Sequence, residues 1–488
     1  MAAMRVTRAE EAQAALAAYE RAFAEEGYVA AAPHAERVLA IVDRWWTRGH
    51  GGSQIAAARM RYTIARAALD RGDAAAMRDH LAKGLEAAER ARLLKEPGFS
   101  YEARLLMLSR AEMRVRDGDV DGSLADIDAA LALEPAPGMG DAEAWSETEL
   151  HLRLARVSAF EAAGRYDQAE REANAALDLA SRRHPAFVPL ALERLSMIHR
   201  ATGAPEAGDH PLAAASAITQ AQDARPTERM DLARAVASRA IESGDLALAE
   251  EQLREMQRIA RERGDERMAA GTGAGFAEIA RRRGDLAGAA DLARRAAAEA
   301  ERVGERTGAR EAYEILGQAL AGLGRTTEAL GALDRARALA GSDAMELMRV
   351  DAVRLATLFQ AAGSDPAGYA ACVDAAVPLA LASDAVRYGL APGEMRDRWA
   401  ANVAAWSADA ALRALTALGR ADEILDLIEH ICASASVDPL AEPGSELLDP
   451  PPRVRSMPGA EPAIAWALAA AEERYGRAAR GDEVVDAW

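Results

Sequence analysis

Glycine recurs at a fixed interval of twenty residues through the centre of this 488-residue chain. The segments between these glycines are rich in alanine, leucine, arginine and glutamate, and this composition predicts helix. Twenty residues accommodate one helix and one turn, so forty residues accommodate one helical hairpin. A hairpin repeated at constant period predicts an α-solenoid, in which each hairpin packs on its neighbours along the chain. The glycines are Gly244, Gly264, Gly284, Gly304 and Gly324.

Further turn glycines extend this period in both directions, with wider spacing towards the two ends. A helix commonly ends on a residue with positive φ, which glycine adopts without steric cost. An aspartate often follows the glycine, and its carboxylate is expected to cap the next helix by accepting a backbone N–H. The turn glycines are Gly72, Gly118, Gly164, Gly203, Gly244, Gly284, Gly324, Gly363 and Gly419, and the expected caps are Asp73, Asp119, Asp245 and Asp285.

The residues around these turns resemble the tetratricopeptide repeat (TPR). Small residues stand at the helix crossings and large residues between them, as in Leu316-Gly317, Leu320, Gly324, Ala329, Leu333 and Ala336. The resemblance implies an all-α, right-handed α-solenoid of about ten helical hairpins over roughly residues 10–432. A period near forty is similar to the long repeats of bacterial signalling regulators and of proteins that carry a CHAT protease domain. Neither a protease domain nor a DNA-binding tail is recognisable here.

The pattern divides the chain into four predicted segments. Residues 1–52 form an N-terminal capping hairpin about Gly27, and residues 53–432 form the TPR-like superhelix. Residues 433–461 are rich in proline, serine and glycine, which predicts an extended linker. Residues 462–488 hold a last amphipathic helix, predicted over Pro462 to Arg480, and a short tail.

Composition excludes several classes of partner. The net charge of −18 argues against nucleic acid and anionic membranes, because both require a basic protein surface. No run of eighteen apolar residues is present, so no membrane span is expected. The two cysteines, Cys372 and Cys432, are sixty residues apart and fit neither a disulfide framework nor zinc spacing, which indicates a cytoplasmic location. The N-terminus lacks the apolar core of a signal peptide.

The sharpest motif match is to a calcium-binding loop in residues 117–128. Asp117, Asp119, Asp121 and Asp128 fall at positions one, three, five and twelve of such a loop. The same residues also form a repeat turn in register with Gly118, and position twelve has aspartate where the loop prefers the longer glutamate. We favour the repeat turn and expect no metal.

No other motif predicts an enzyme or a cofactor. The glycines of residues 271–275 follow no strand and precede no Gly-Lys-Ser/Thr, so close helix packing is the preferred interpretation over a phosphate loop. His430 and Cys432 are two residues apart and point to different helix faces, which favours core packing over a catalytic pair. The chain is therefore predicted to be neither an enzyme nor a cofactor-binding protein.

The resemblance places the working surface on the first helix of each hairpin, which lines the concave groove and binds a protein or peptide. Mixed charge in that groove favours a polar or basic-containing segment, and the oligomeric state is left open. Counting back from each turn glycine gives the groove positions Glu112, Ser158, Glu161, Arg234, Ser238, Glu278, Arg281, Arg282, Glu314 and Gln318.

Two functions follow from this groove. The first is an interaction scaffold, and the alternative is a regulatory or sensor subunit that controls a separate effector such as a protease or transcription regulator. In the alternative the tail folds back as a plug of the groove, whereas in the simpler interpretation it caps the last repeat. The docking residues of the tail are predicted as Ile464, Leu468, Tyr475, Val484, Val485 and Trp488.

Overall fold

A computed structural model describes residues 2–42, 51–71, 73–95, 98–135, 142–221, 226–363, 365–390, 393–436, 451–457 and 459–486. These residues are almost entirely helical, apart from two strands of three residues each. In chain order the first helices are α1 (Ala2–Val42), α2 (Gly51–Asp70), α3 (Ala74–Leu93), α4 (Phe99–Asp117), α5 (Val120–Leu131), α6 (Ala142–Ala162), α7 (Tyr166–Arg183), α8 (Val188–Ala201), α9 (Pro205–Ala221), α10 (Pro226–Ser243) and α11 (Leu246–Glu262).

The remaining elements include the C-terminal segment. They are α12 (Glu266–Gly271), α13 (Gly273–Arg282), α14 (Leu286–Arg302), α15 (Arg306–Gly322), α16 (Thr326–Ala340), α17 (Ala344–Ala362), α18 (Pro366–Ala385), α19 (Glu394–Arg398), a π-helix (Trp399–Ala404), α20 (Ala405–Ala417), α21 (Ala421–Ser436), β1 (Arg453–Arg455), α22 (Ala465–Tyr475) and β2 (Val484–Asp486). Short 3₁₀ helices lie at Pro185–Phe187 and Val386–Gly389.

The predicted turns and caps are confirmed. Gly118, for example, has φ of 80° and closes α4, and Asp119 then caps α5 by accepting from the Gly122 N–H at 3.0 Å. Asp73, Asp245 and Asp285 cap the helices that follow them in the same way. Gly27 interrupts α1 with φ of 78° and ψ of −159°, so the capping hairpin also turns at its glycine. Gly72 and Trp488 lie outside the described residues.

The chain divides into two compact units. Unit 1 contains Met1–Ala159 with Arg182–His184. Its helices α1 to α5 pack in succession, and α2 also packs on α4, the first helix of the next hairpin. Their core contains Met60, Leu81 and Leu106, none of which exposes any surface.

Unit 2 contains Phe160–Ser181 and Pro185–Trp488. Its hairpins are α8–α9, α10–α11, α12/α13–α14, α15–α16, α17–α18 and α20–α21. Successive first helices also touch, with α8 on α10, α13 on α15 and α15 on α17. This neighbour-to-neighbour packing is the TPR-like arrangement, and it confirms the predicted all-α fold of stacked hairpins.

Unit 2 also joins parts of the chain that are far apart in sequence. The ring of Tyr166 stacks on Trp399 with 5.6 Å between centroids, and the Asn402 amide donates to the Gly203 carbonyl at 2.9 Å. The guanidinium group of Arg477 donates to the carbonyl of Ala163. The turns at the start of this unit therefore contact its C-terminal segment.

The C-terminal segment differs from the predicted linker and long helix. Strands β1 and β2 pair in parallel, with Val454 opposite Val485, and the side chain of Val454 is 5% exposed. The Asp426 carboxylate accepts from the Ser456 N–H at 2.9 Å and from its hydroxyl at 2.5 Å. The described part of the proline-rich segment is therefore packed on α21, because buried acceptors on that helix satisfy its backbone donors.

Among the described helices, one stretch is long and apolar enough to cross a membrane by length and composition. It is Pro366–Gly389, with a mean hydropathy of 1.4, and 72% of the window is buried inside the protein. It consists of α18 and the following 3₁₀ turn, and it packs against α17, α20 and α22. A central core helix meets the same criterion.

Candidate functional site

A ladder of ion pairs connects successive first helices of unit 2. Arg194 of α8 lies 3.9 Å from Glu161 of α6, and Arg234 of α10 lies 3.5 Å from Glu193 of α8. Farther along, Arg310 of α15 lies 3.0 Å from Glu346 of α17. Because each pair joins neighbouring first helices, one face of the hairpins presents a charged surface. We call it the first-helix ladder, with members Glu161, Glu193, Arg194, Asp231, Arg234, Arg310, Glu311, Glu314, Glu346 and Arg349.

We infer that the ladder lies on the inner side of a curve within unit 2. Arg234 of α10 and Glu311 of α15 belong to hairpins that are separated by one intervening hairpin. Arg234 nevertheless lowers the pKa of Glu311, although burial has the larger effect and raises it. Burial raises the pKa of Tyr166, which lies near the start of unit 2, and the carboxylates of Glu161 and Asp343 add to this effect. Side chains from non-adjacent hairpins approach each other only on a concave face.

Burial raises the pKa of several ladder carboxyls, among them Glu193 and Glu161. Glu193 is 2% exposed, and burial raises its pKa to about 7 although Arg234 and Arg194 lower it. Burial likewise raises the pKa of Glu161, opposed by Arg194. The cause is desolvation, because a carboxylate removed from water favours the neutral form unless a cation compensates it. A partner that brings a cation close to Glu193 is therefore expected to gain more than it would from an exposed carboxylate.

Replacing Glu193 by glutamine is expected to stabilise the protein at alkaline pH only. The folded-state pKa of this carboxyl lies above its ordinary value of 4.5, so the folded chain holds the proton and the unfolding free energy falls as pH rises through about 7. The variant should gain about 1–3 kcal/mol near pH 8.5 and change little near pH 5. Urea denaturation at the two pH values measures the change in unfolding free energy, with the exposed Glu251→Gln variant as the control. An equal gain at both pH values would contradict the assignment.

Glu314 is the buried centre of a second group in the ladder. It is 3% exposed and accepts from Arg310 at 2.5 Å and from Arg349 at 2.6 Å. Burial opposes the charge of Arg310, but the carboxylates of Glu346, Glu311 and Glu314 outweigh burial and raise its pKa. Burial raises the pKa of Glu314 to about 8, although Arg310 lowers it. The two guanidinium groups on this carboxyl orient Arg349 along the ladder.

The predicted groove positions are only partly brought together. Glu161, Arg234 and Glu314 belong to the ladder. In unit 1, Glu112 forms the equivalent pair between first helices, 2.8 Å from Arg66. The others serve their own helices or have no defined role: Ser158 donates to the Leu154 carbonyl, Glu278 pairs with Arg281 and Arg282, and Ser238 and Gln318 are half-buried.

Most of the ladder residues that were not predicted from the sequence are charged side chains on helix faces that are otherwise apolar. Glu193 and Arg194 stand between Leu192 and Leu195, and Arg310 follows the buried Ala309. A second signal was available, because ladder partners are about one repeat apart, as with Arg310 and Glu346. Counting back a fixed number from each glycine overlooked both signals.

The calcium interpretation of residues 117–128 is not supported. Asp119 is used as a helix cap, Asp117 accepts from Arg78 at 3.0 Å, and Asp128 lies 2.6 Å from Arg156. Helix α5 begins at Val120, so the backbone cannot wrap around an ion as a calcium loop does. Among the described residues, no group of three or more histidine, cysteine, aspartate or glutamate side chains is arranged to hold a metal.

The packing interpretation is confirmed for Gly273 and for His430, but Cys432 is exposed and does not belong to the core. A side chain added at Gly273 would lie 2.7 Å from the Cβ atom of Ala296, so this glycine allows α13 to approach α14 closely. His430 is fully buried, donates from Nδ1 to the Asp426 carbonyl at 2.6 Å, and accepts from the Val454 N–H at 3.2 Å. Burial and Arg480 lower its pKa to about 4, so it is a neutral structural side chain.

The tail docks on a different face of α17 from the ladder. Ile464, Leu468 and Tyr475 are buried, and the Tyr475 hydroxyl donates to Asp351 at 2.9 Å. Asp351 lies five residues after the ladder residue Glu346 on α17. Five residues correspond to a rotation of about 140° about the helix axis, so the two side chains lie on different faces. These contacts favour a cap over a plug. Val484 and Val485 lie in β2.

Comparison with known proteins adds nothing about function. No protein-family model matches the chain, and no curated protein matches it. Several solved structures are similar at low identity. The Rap protein complexed with competence and sporulation factor is 12% identical, with a TM-score of 0.48 over 78% of this chain and 99% of that one. Yeast Tom70 is 11% identical, with a TM-score of 0.30 over 88% and 96%. The P58(IPK) TPR domain is 15% identical, with a TM-score of 0.22 over 84% and 99%.

The fold of this chain is TPR-like. That statement rests on its own hairpins, turn glycines and first-helix contacts. With TM-scores below 0.5, the solved structures carry no argument about what the chain binds.

Proposed function

We propose that unit 2 is a binding scaffold whose first-helix ladder receives a peptide or protein segment containing arginine or lysine. The observation that carries this proposal is the ladder itself, in which carboxyl groups outnumber guanidinium groups. Preformed helices present these side chains, so binding costs little ordering entropy.

The charge of the ladder sets how the partner is recognised. Glu193 is buried and therefore desolvated. Glu311 has 46% of its side chain exposed, so a cation of the partner can reach Glu311 and influence the ionisation of Glu193. A guanidinium or ammonium group at this place stabilises the ionised form of Glu193 and releases its proton. Binding is therefore linked to pH, and it tightens as pH rises through about 7.

A charge-reversal pair tests this proposal. Peptides selected from a phage-displayed random library against the intact chain are titrated by fluorescence anisotropy into the wild type, Glu311→Lys and Asp291→Lys. Asp291 is an exposed residue of α14, a second helix, and it pairs with Arg294. We expect enrichment of arginine or lysine, at least about tenfold weaker binding by Glu311→Lys, and unchanged binding by Asp291→Lys. Equal loss in both variants, or selection of acidic peptides, would refute the ladder as the site.

The alternative function is a regulatory subunit, and one contact favours it. Arg477 of the tail donates to the carbonyl of Ala163 at the first turn of unit 2, so the tail joins distant parts of the unit. Deleting residues 440–488 then changes access to the ladder. Tighter binding of the selected peptide by the shortened chain supports regulation, whereas unchanged binding supports a constitutive scaffold. A cytoplasmic location and the lack of enzymatic activity stay predictions from the sequence.

A further inference from the structure

A cavity of about 420 Å³ lies beneath the tail helix of unit 2, away from the ladder. Its walls come from four helices, because α22 covers the space bounded by α16, α17 and α18. This volume falls within the range of small-molecule sites. The lining residues are Asp334, Arg337, Asp351, Arg354, Leu358, Ala371, Asp374, Ala375 and Arg474.

Two of the three arginines are only partly used. The Nε atom of Arg337 donates to Asp351 at 3.1 Å, and the Nε atom of Arg354 donates to Asp334 at 3.2 Å. Their terminal nitrogens make no hydrogen bond within the part of the chain that the structure describes. A guanidinium group has five N–H donors in a planar fork, so both retain the edge that grips a carboxylate.

In the third pair of charged lining residues, Arg474 and Asp374, the two charged groups do not bind each other. Arg474 donates to the backbone carbonyl of Asp374 at 2.7 Å and not to its carboxylate. Over the described residues, the Asp374 carboxylate has neither a hydrogen bond nor an ion pair, and the residue is exposed. The cavity therefore offers one uncompensated acceptor for a cation beside several uncompensated donors for an anion.

The floor between these charges is apolar. Leu358 is half-buried and Ala375 is 9% exposed, and Ala371 completes this part of the lining. An aliphatic group placed here is removed from water at little steric cost. The cavity thus combines an anion-binding edge, a cation-binding carboxylate and an aliphatic surface.

We propose that this cavity binds a small zwitterion with an aliphatic body, namely a free amino acid or dipeptide. Its carboxylate lies against the terminal nitrogens of Arg337 and Arg354, its ammonium group faces Asp374, and its side chain contacts Leu358. Because Arg474 of the tail helix α22 forms part of the lining, the bound molecule lies between the tail helix and the hairpins. The inference does not depend on the function of the ladder.

Ligand-observed NMR with the dipeptide alanyl-leucine and the intact protein tests the proposal. We expect saturable binding with a Kd on the order of 1 mM or tighter. The N-acetylated, C-amidated dipeptide has the same aliphatic groups without the two charges, and it should not bind. Equal binding of both molecules, or no saturable signal with alanyl-leucine up to about 20 mM, would overturn the proposal.

Matched variants locate the site. Asp374→Asn and Arg354→Gln should each weaken alanyl-leucine about tenfold, because each removes one charged contact. Asp291→Asn and Arg294→Gln make the same changes in an exposed pair on α14 and should leave binding unchanged. Glu311→Lys should also leave it unchanged, which separates this cavity from the ladder. Wild-type binding by both Asp374→Asn and Arg354→Gln would refute the site.

Discussion

Replacing Arg480 by alanine is expected to lower the unfolding free energy of unit 2 by about 3–5 kcal/mol. The side chain is 1% exposed, and it donates to the Tyr388 hydroxyl at 2.8 Å and to the His430 carbonyl at 2.5 Å. It also lies 3.3 Å from Asp384. Alanine would leave a cavity and remove one cation from a buried acidic group, and both effects destabilise.

Urea denaturation of the intact chain measures this effect, with Arg413→Ala as the matched control. Arg413 pairs with Asp409 on the surface of α20 and is 71% exposed, so its loss should cost less than about 1 kcal/mol. Hydrogen exchange of α22 should also accelerate in Arg480→Ala, because the tail loses its deepest anchor. Similar stabilities for the two variants would show that the tail is only loosely held.

A methyl group added at Gly317 is expected to destabilise the hairpin α15–α16 by about 1–3 kcal/mol. The new Cβ atom would lie 2.6 Å from the Leu333 Cγ atom and 3.2 Å from the Ala329 carbonyl oxygen. The second contact is with backbone and cannot be relieved by a rotamer change, so α15 must move away from α16. Better helix propensity offsets only about 1 kcal/mol of this cost.

Gly331→Ala supplies the control with the opposite sign. Gly331 lies in the middle of α16 and has nothing within 4 Å of the added methyl group. That variant should gain about 0.5–1 kcal/mol through helix propensity alone. Thermal and urea denaturation measure the change in unfolding free energy of both variants. A gain in Gly317→Ala would contradict the close helix approach on which the repeat depends.

Local features of the repeat could be predicted from sequence because their causes are local. The positive φ of Gly284 and the cap from Asp285 to the Gly288 N–H, at 2.8 Å, involve only neighbouring residues. The small residue at Gly317 follows from the crossing of two adjacent helices. Such interactions recur with the period, so one pattern identifies many turns.

The docking of the tail could not be derived in the same way. Tyr475 donates to Asp351, and Arg480 donates to Asp384 and to the His430 carbonyl. These partners are far from the tail in sequence. Their positions depend on how all the intervening helices pack. The segment near Val454 was therefore predicted as an extended linker, although buried groups on α21 hold it.

The ladder falls between these two cases. Its partners lie on adjacent first helices, as Arg349 and Glu314 do, and a search for opposite charges one repeat apart would have found many of them. The approach of Arg234 to Glu311 needs the curvature of unit 2, which the repeat period does not determine. The sequence therefore indicated the correct face and only some of its residues.

Photo-crosslinking of the phage-selected peptide to the intact chain tests the central claim most directly. The peptide carries a photoreactive residue, and mass spectrometry identifies the crosslinked positions. Our account predicts crosslinks on the first helices of unit 2, namely α8, α10, α13, α15 and α17, with loss of those crosslinks in Glu311→Lys. Crosslinks confined to the second helices α11, α14 and α16, or to unit 1, would contradict it.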